Sequence, residues 1–521
     1  MRVPDRRTML RAARVSAVLL FVMAFAYWPH LDAEDEIRPR EEVVWWEMTK
    51  AYVDLWTGDL PGYRYPLHYD EFVHWSEAAG IQRRDGLDEG LSLRGLVHER
   101  GFHVALAGFQ DVTGIPWLRI LQFGPALAAG FTAFAVYAML RGHPAALPAA
   151  ALTAIMPTTP RFLGPSFLVP VAVALAWVAV AVMLATARGP RRVRLGLLAV
   201  VVAWTFFLHF IIGFVSILVL VGLLGAKGLR GETAGIRAVL VAAVPFAVFA
   251  LVFFGDVVHE FSRGADRSRL LAFTPRVFNN FGVRTMYFWT GAATWIVLTR
   301  KPKAENDVPL AFTFAGAAML ALIAWSLATE TGLYILYDRW HVPFFFAAVI
   351  TVGAGVAATA GWAAARLARL LKGPQWEPRL REVRPAFAFG LAAFLVLSAA
   401  PFLATEPYYE VLQDADWAAI SWIGENLGPE YHTVLSKRLA GPAVTAVSGK
   451  CVYRFDSPLY ASYFATPAEN RSAFLLNRGI TVVVRTVVPT GDAFHEVAPD
   501  VWAVDHATAL RLVPATDERT C

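Results

Sequence analysis

Residues 195–226 run for 32 positions without a formal charge, between Arg188, Arg191, Arg192 and Arg194 on one side and Lys227, Arg230 and Arg237 on the other. A stretch that long and that apolar has a place only inside a lipid bilayer. It reads either as one long helix or as two short ones. Lys and Arg collect on the cytoplasmic side of membrane proteins, and here both ends are basic. The expectation is therefore two short helices joined by a tight outer turn at His209–Gly213, a pair that needs neighbours or local bilayer thinning.

The rest of the chain repeats the theme. Only 17% of the 521 residues are charged, against roughly 25% in soluble domains. Apolar helices are expected near 116–140, 144–160, 166–187, 195–208, 211–226, 238–255, 285–299, 308–329, 342–365 and 386–404, after a first one over 15–29. This arrangement puts 22 Lys and Arg in the inner stretches and 7 in the short outer loops. The N-terminus is then cytoplasmic and the C-terminus outside. Ala24-Phe25-Ala26 also resembles a signal-peptide cleavage site, although a retained first helix is preferred. The formal net charge of +5 follows from this topology, and no nucleic-acid partner is expected. The two cysteines, Cys451 and Cys521, form no C-x-x-C pair, and the sequence leaves their pairing open.

The fold class expected is an all-α polytopic membrane domain of about eleven transmembrane helices with a small C-terminal extracytoplasmic α/β domain. Its parts are a first transmembrane helix (1–30), a long first outer loop (31–114), a multi-helix membrane domain (115–404) and an outer domain (405–521). In the last, an amphipathic helix from Asp416 to Asn426, apolar runs at 433–435 and 481–484 and a helical stretch near 468–477 alternate as an α/β fold would.

Phosphate-binding P-loop, His-Glu-x-x-His and Gly-x-Ser-x-Gly patterns are absent from the sequence. The chemistry-bearing groups that remain lie in the outer segments. Tyr65-Pro66-Leu67-His68-Tyr69-Asp70-Glu71-Phe72-Val73-His74-Trp75 places two carboxylates and two imidazoles among aromatics. On a helix starting near Asp70, Asp70 and His74 share a face. Such a cluster suits a general base whose pKa burial raises toward neutrality. It suits equally a divalent cation such as Mg or Mn, held by Asp70 and His74. It suits also an interfacial helix with Asp70 as cap and Trp75 in the aromatic belt. Glu99 and His103 close the same loop and are candidates to line the same cavity, with helix capping as the alternative. The outer loop 255–284 carries Arg263, Arg267, Arg269, Arg276 and Arg284, which either clamp a phosphate or balance nearby acids. Tyr337 and Arg339 stand at the outer end of an apolar helix, where an Arg either faces inward or snorkels to headgroups.

The run at 65–75 resembles the Tyr-Pro-Leu-His-x-Asp-Glu-x-x-His-Trp motif of archaeal-type members of the GT-C superfamily of membrane glycosyltransferases. That superfamily includes the protein mannosyltransferases and the oligosaccharyltransferase catalytic subunits. Glu-x-Gly-Phe-His at 99–103, Thr-Gly-x-x-Trp-Leu at 113–118, the Pro-Thr-Thr-x-Arg-Phe-Leu-Gly-Pro-x-Phe-Leu-Val-Pro run at 157–170 and the segment 337–343 are similar as well. The resemblance covers about residues 15–400. It implies a GT-C-like fold with its site at the outer face, and Asp70, with Glu71 second, as base or metal ligand. His74 and His68 join them in the cluster. It further implies a polyprenyl-phosphate-linked sugar as donor and a glycan, lipid or protein as acceptor. Arg339, Arg161 and Arg276 are the residues assigned to the donor phosphate. The outer domain lacks the Trp-Trp-Asp-Tyr-Gly motif of the oligosaccharyltransferases, and 157–166 holds no carboxylate.

The expected reaction is an inverting sugar transfer outside the cytoplasm, in an integral protein of the cell membrane. The rival readings are a membrane transporter, to which a buried His209 is suited, and a non-catalytic envelope protein with a partner-binding outer domain. Midplane ionisable groups and repeated halves, which a transporter often shows, are not evident in this sequence.

Overall fold

The computed structural model describes residues 5–30, 65–66, 68–83, 99–156, 164, 167–231, 288–296, 303–329, 340–371, 376–403, 412–437, 440–455, 462–489, 492–512 and 519–520. The expected helix at 238–255, the outer loop at 255–284 and the ends of the helix at 285–299 lie outside them.

The helical part begins with α1 (Arg6–Tyr27), capped by Asp5, whose side chain accepts the Thr8 N–H. After α2 (Tyr69–Arg83) and α3 (Arg100–Thr113) come α4 (Trp117–Met139), α5 (Ala146–Leu152), α6 (Pro170–Thr186), α7 (Arg191–Leu208) and α8 (Phe210–Leu229). Residues 288–296 are helical, and α9 (Asp307–Thr329), α10 (His341–Leu370) and α11 (Trp376–Leu403) complete the set. Among the described residues, five helices are long and apolar enough to cross a membrane: Thr8–His30, Trp117–Met139, Phe210–Leu229, Ala304–Ser326 and His341–Leu370. The described residues are thus mostly helical with five such spans, and the count of about eleven expected of the whole chain is not reached among them. α6 is apolar but has 17 residues, and the first turn of α7 carries Arg191, Arg192 and Arg194.

Three boundaries differ from expectation. The helix expected over 144–160 is cut to α5 and a single 3-10 turn ending at Ile155. Met156 turns extended, as a residue before proline must, since Pro157 crowds the helical conformation. α11 starts at Trp376, ten residues before the expected 386, and α10 runs on to Leu370. Hydropathy marks where a helix leaves lipid, and these helices continue into water with Arg-rich ends. The break expected within 195–226 is present but tighter than drawn: the single extended residue His209 separates α7 from α8.

Large apolar side chains on α4, Phe123, Leu127, Phe131 and Phe134, stand exposed at helical spacing. A stripe of this size has lipid as its natural cover. The opposite side of the helices is packed to near-zero exposure around Ala149, Ala174, Val178, Phe312 and Phe346.

The C-terminal domain opens with α12 (Asp414–Asn426), then β1 (Thr433–Lys437), α13 (Gly441–Ser448), β2 (Cys451–Phe455), α14 (Arg471–Leu476), β3 (Val482–Val484), β4 (His495–Ala498), β5 (Val501–Ala503), α15 (His506–Arg511) and β6 (Arg519–Thr520). The sheet order is β4-β5-β3-β1-β2-β6. β1 pairs in parallel with both β2 and β3, and the outer pairs are antiparallel. Side chains alternate across the sheet. Val434, Val452 and Val482 pack with α12 and α13 in a core that continues into the helical part, while Leu435, Tyr453 and Val483 pack with α14 and α15. Cys451 is disulfide-bonded. The sequence holds one other cysteine, Cys521, directly after β6.

Candidate functional site

The run 65–75 opens α2 through a reciprocal cap. His68 precedes the helix, and its Nδ1 accepts the Asp70 N–H at 3.0 Å. Its own N–H is donated to Glu71 Oε2 at 3.1 Å. Two of the N–H groups that a helix start leaves open are met within three residues, in the manner of a capping box. His68, not Asp70, is therefore the cap. Its Nδ1 also lies 3.9 Å from Asp70 Oδ2.

The two adjacent carboxylates have opposite surroundings. Glu71 is fully buried, and its Oε1 accepts the Leu168 N–H at 2.8 Å, two residues before α6. Buried carboxylates are retained where N–H donors meet their oxygens, and Glu71 here fastens α2 to the membrane domain. Asp70, with 36% of its side chain exposed, stands in the first turn of α2 facing outward. The burial that the base reading called for falls on Glu71.

His74 Nδ1 faces His103 Nε2 at 2.9 Å, both rings buried, so one proton is shared between α2 and α3. Glu99 sits before α3 with φ 57°, in the left-handed region, and its side chain makes no hydrogen bond to its own helix. Its Oε1 lies instead 3.1 Å from His209 Nε2. His209 Nδ1 accepts the Ile212 N–H at 3.4 Å, which assigns the proton to Nε2 and makes that ring the donor to Glu99. The α3 start presses closely on the end of α7: a Cβ on Gly101 would lie 2.5 Å from the Phe207 carbonyl oxygen. Sequence reading gathered His68, Asp70, Glu71, His74, Glu99 and His103 as one cluster. The structure brings His74 to His103, and joins Glu99 to His209, which the sequence offered only as a buried residue of a transporter. Its signal was its position, the one polar side chain at the break of a charge-free block.

Arg161, Arg276, Arg339 and Tyr337 lie outside the described residues. Among the described residues, no group of three His, Cys, Asp or Glu side chains is placed to hold a metal ion. His74 turns its Nδ1 to His103.

No protein-family model matches the sequence, and no curated protein does. Several solved structures are similar. ArnT from Cupriavidus metallidurans in the apo state is 14% identical, with a TM-score of 0.49 over 97% of this chain and 99% of that one. AglB, the archaeal oligosaccharyltransferase from Archaeoglobus fulgidus, in complex with an inhibitory peptide and a dolichol-phosphate, is 14% identical with a TM-score of 0.44, over 91% of this chain and 69% of that one. The Archaeoglobus fulgidus oligosaccharyltransferase tethered to an acceptor peptide is 17% identical, with a TM-score of 0.40 over 74% of this chain. The match spans 60% of the length of that enzyme. These structures are GT-C superfamily membrane glycosyltransferases, the superfamily whose motif the run 65–75 resembles. At these identities and scores the likeness assigns no role to any residue of this chain.

Proposed function

We propose that this chain is a GT-C-type membrane glycosyltransferase that moves a sugar from a polyprenyl-phosphate donor to an acceptor outside the cytoplasm, with inversion at the anomeric carbon. The observation that carries the reading is the pairing of Asp70 with Glu71. Glu71 is buried and held by two backbone N–H groups, which fixes the helix start from which the partly exposed Asp70 projects. A positioned carboxylate open to an incoming hydroxyl is what a general base requires.

In this reaction Asp70 takes the proton of the acceptor hydroxyl. The oxygen attacks the anomeric carbon from the side opposite the phosphate, forming the new glycosidic bond. The bond from that carbon to the phosphate oxygen breaks, and its electron pair leaves with the lipid phosphate. Arg339, Arg161 and Arg276 are the residues proposed to offset the charge on that leaving group. No nucleotide is consumed, in keeping with a sequence that lacks a P-loop. A disulfide at Cys451 belongs in an oxidising compartment, which favours the outer face for the C-terminal domain.

The test is transfer of label from a panel of polyprenyl-phosphate sugars, with the protein in lipid vesicles. Asp70→Asn keeps the shape and removes the base, and turnover should fall about 10²- to 10⁴-fold. Wild-type turnover in that variant, measured against an active parent, would remove Asp70 from the role.

A further inference from the structure

α2, which carries Asp70, is also gripped by the C-terminal domain. At its start, Tyr65 is 2% exposed and its hydroxyl donates to Asp414 Oδ1 at 2.7 Å, in the first turn of α12. In its middle, the buried Trp75 ring stacks on Trp417 of α12, with ring centroids 6.1 Å apart. At its end, the Arg83 guanidinium donates to the Thr445 carbonyl from both Nη1 and Nη2, each at 3.1 Å, and to the Ala446 carbonyl at 2.5 Å. Those carbonyls belong to the last turn of α13, where a helix leaves acceptors open and concentrates negative partial charge. Gly449 ends α13 with φ +70°, and a Cβ there would lie 2.5 Å from Arg83 Nη1. The residue that stops the helix is thus also the one whose missing side chain admits the guanidinium.

We propose that the C-terminal domain positions the candidate base. Tyr65, Arg83, Asp414 and Gly449 act as a clasp that holds α2 against α12 and α13, so that Asp70 meets its acceptor in one orientation. These are positioning residues and do not touch the reacting atoms. Glu71 to Leu168 ties the same helix to the membrane domain, and His74 to His103 ties it to α3. α2 is therefore fixed only when both parts are in place. The catalytic consequence rests on the transferase reading above, whereas the clasp itself does not.

The experiment uses the full chain in lipid nanodiscs, comparing parent, Tyr65→Phe, Arg83→Lys and Arg83→Met. Backbone hydrogen exchange over 69–83 is read beside α10 as an internal reference, and donor turnover is read beside KM. Arg83→Met should raise exchange across α2 about fivefold or more while α10 is unchanged. Turnover should fall about tenfold with KM for the donor unaltered, the signature of a misplaced group and not of lost binding. Arg83→Lys should recover part of both, since an ammonium reaches a carbonyl but cannot fork across two. Tyr65→Phe, a change that leaves the packing intact, should move the exchange in the same direction by less. Unchanged exchange in α2 overturns the proposal whatever the activity does. Loosened α2 with parent-like turnover, while Asp70→Asn is inactive, overturns the positioning role. Loosened α2 together with an Asp70→Asn variant at parent turnover leaves the clasp standing and removes Asp70 as the base, whereas a parent without donor turnover removes the transferase reading and leaves the clasp to the exchange data.

Discussion

Helices of the membrane part meet where side chains are missing. A Cβ on Gly353 of α10 would lie 2.6–2.8 Å from the Cβ, Cα and backbone nitrogen of Ala149 in α5. A Cβ on Gly222 of α8 would lie 2.6 Å from the carbonyl oxygen of Ala311 in α9. In the C-terminal domain the corresponding work falls to Val434, Leu435, Val482 and Val483, all fully buried between two layers of helices, and to a disulfide. The contrast follows from solvent. Lipid is as apolar as leucine, so membrane helices gain nothing by hiding leucine from it and associate through closeness of fit. The sheet is covered on both faces by helices and draws its stability from removing valine from water.

The largest effect that this contrast predicts is at Gly353. Gly353→Leu places a side chain on the backbone of α5, with no flexible neighbour to yield, and should cost about 3 kcal/mol or more. Thermal unfolding in detergent and the yield of folded protein read it out. A variant with parental unfolding would break the claim that the membrane part is specified by fit.

Next is the covalent contribution. Cys451→Ser should lower stability by about 2–4 kcal/mol, seen as unfolding of the C-terminal domain at lower temperature while the helical part holds. Loss of both parts in one transition would instead make the two a single cooperative unit and sharpen the role of the clasp.

The smallest effect is a pH dependence on the helical side. His143, between α4 and α5, has its Nδ1 accepting the Ala145 N–H at 3.0 Å and its Nε2 3.1 Å from Asn306 Oδ1. Burial pushes its pKa below the usual imidazole value of 6.5, outweighing the Asn306 hydrogen bond and Glu305. The folded chain then binds fewer protons than the unfolded chain. Stability is fully present above the unfolded pKa and falls as pH drops through it toward the folded value. Protonation must also place a hydrogen on Nδ1, where the Ala145 N–H already points. The unfolding temperature should fall on acidification from about pH 7.5 to about 5.5, and less so in His143→Gln. An equal fall in both would show that this ring is not involved.

Different parts of the molecule were legible to different degrees. The break at His209 could be read because charge at both ends of 195–226 imposes a constraint that any fold must meet. The alternating helices and strands after 405 could be read because period and length are local properties. The early end of α5 had a local signal too, Pro157, which outranks the apolar run leading to it. The end of α10 and the start of α11 show the opposite limit: hydropathy reports the lipid boundary, and the backbone does not stop there. The sequence set Glu99 and His103 beside the cluster of His74, but the particular contacts, His74 to His103 and Glu99 to His209, could not be read from it. Spacing along one helix says which groups share a face, but not which ring from another helix will meet them. For the same reason the sequence does not say which member of the pair Asp70–Glu71 is buried, since both lie in the first turn of α2 and the contact with Leu168 falls to Glu71.

That pair has one more consequence. Successive residues on a helix are about 100° apart around its axis. The Leu168 N–H that receives Glu71 therefore acts as an angular index mark for α2, as a keyway does for a shaft. A slip of one residue would turn the shorter Asp70 toward that donor and carry Glu71 away from it. Adjacent carboxylates that look interchangeable in the sequence thus carry different information: one sets the rotation of the helix, and the other is what that rotation presents.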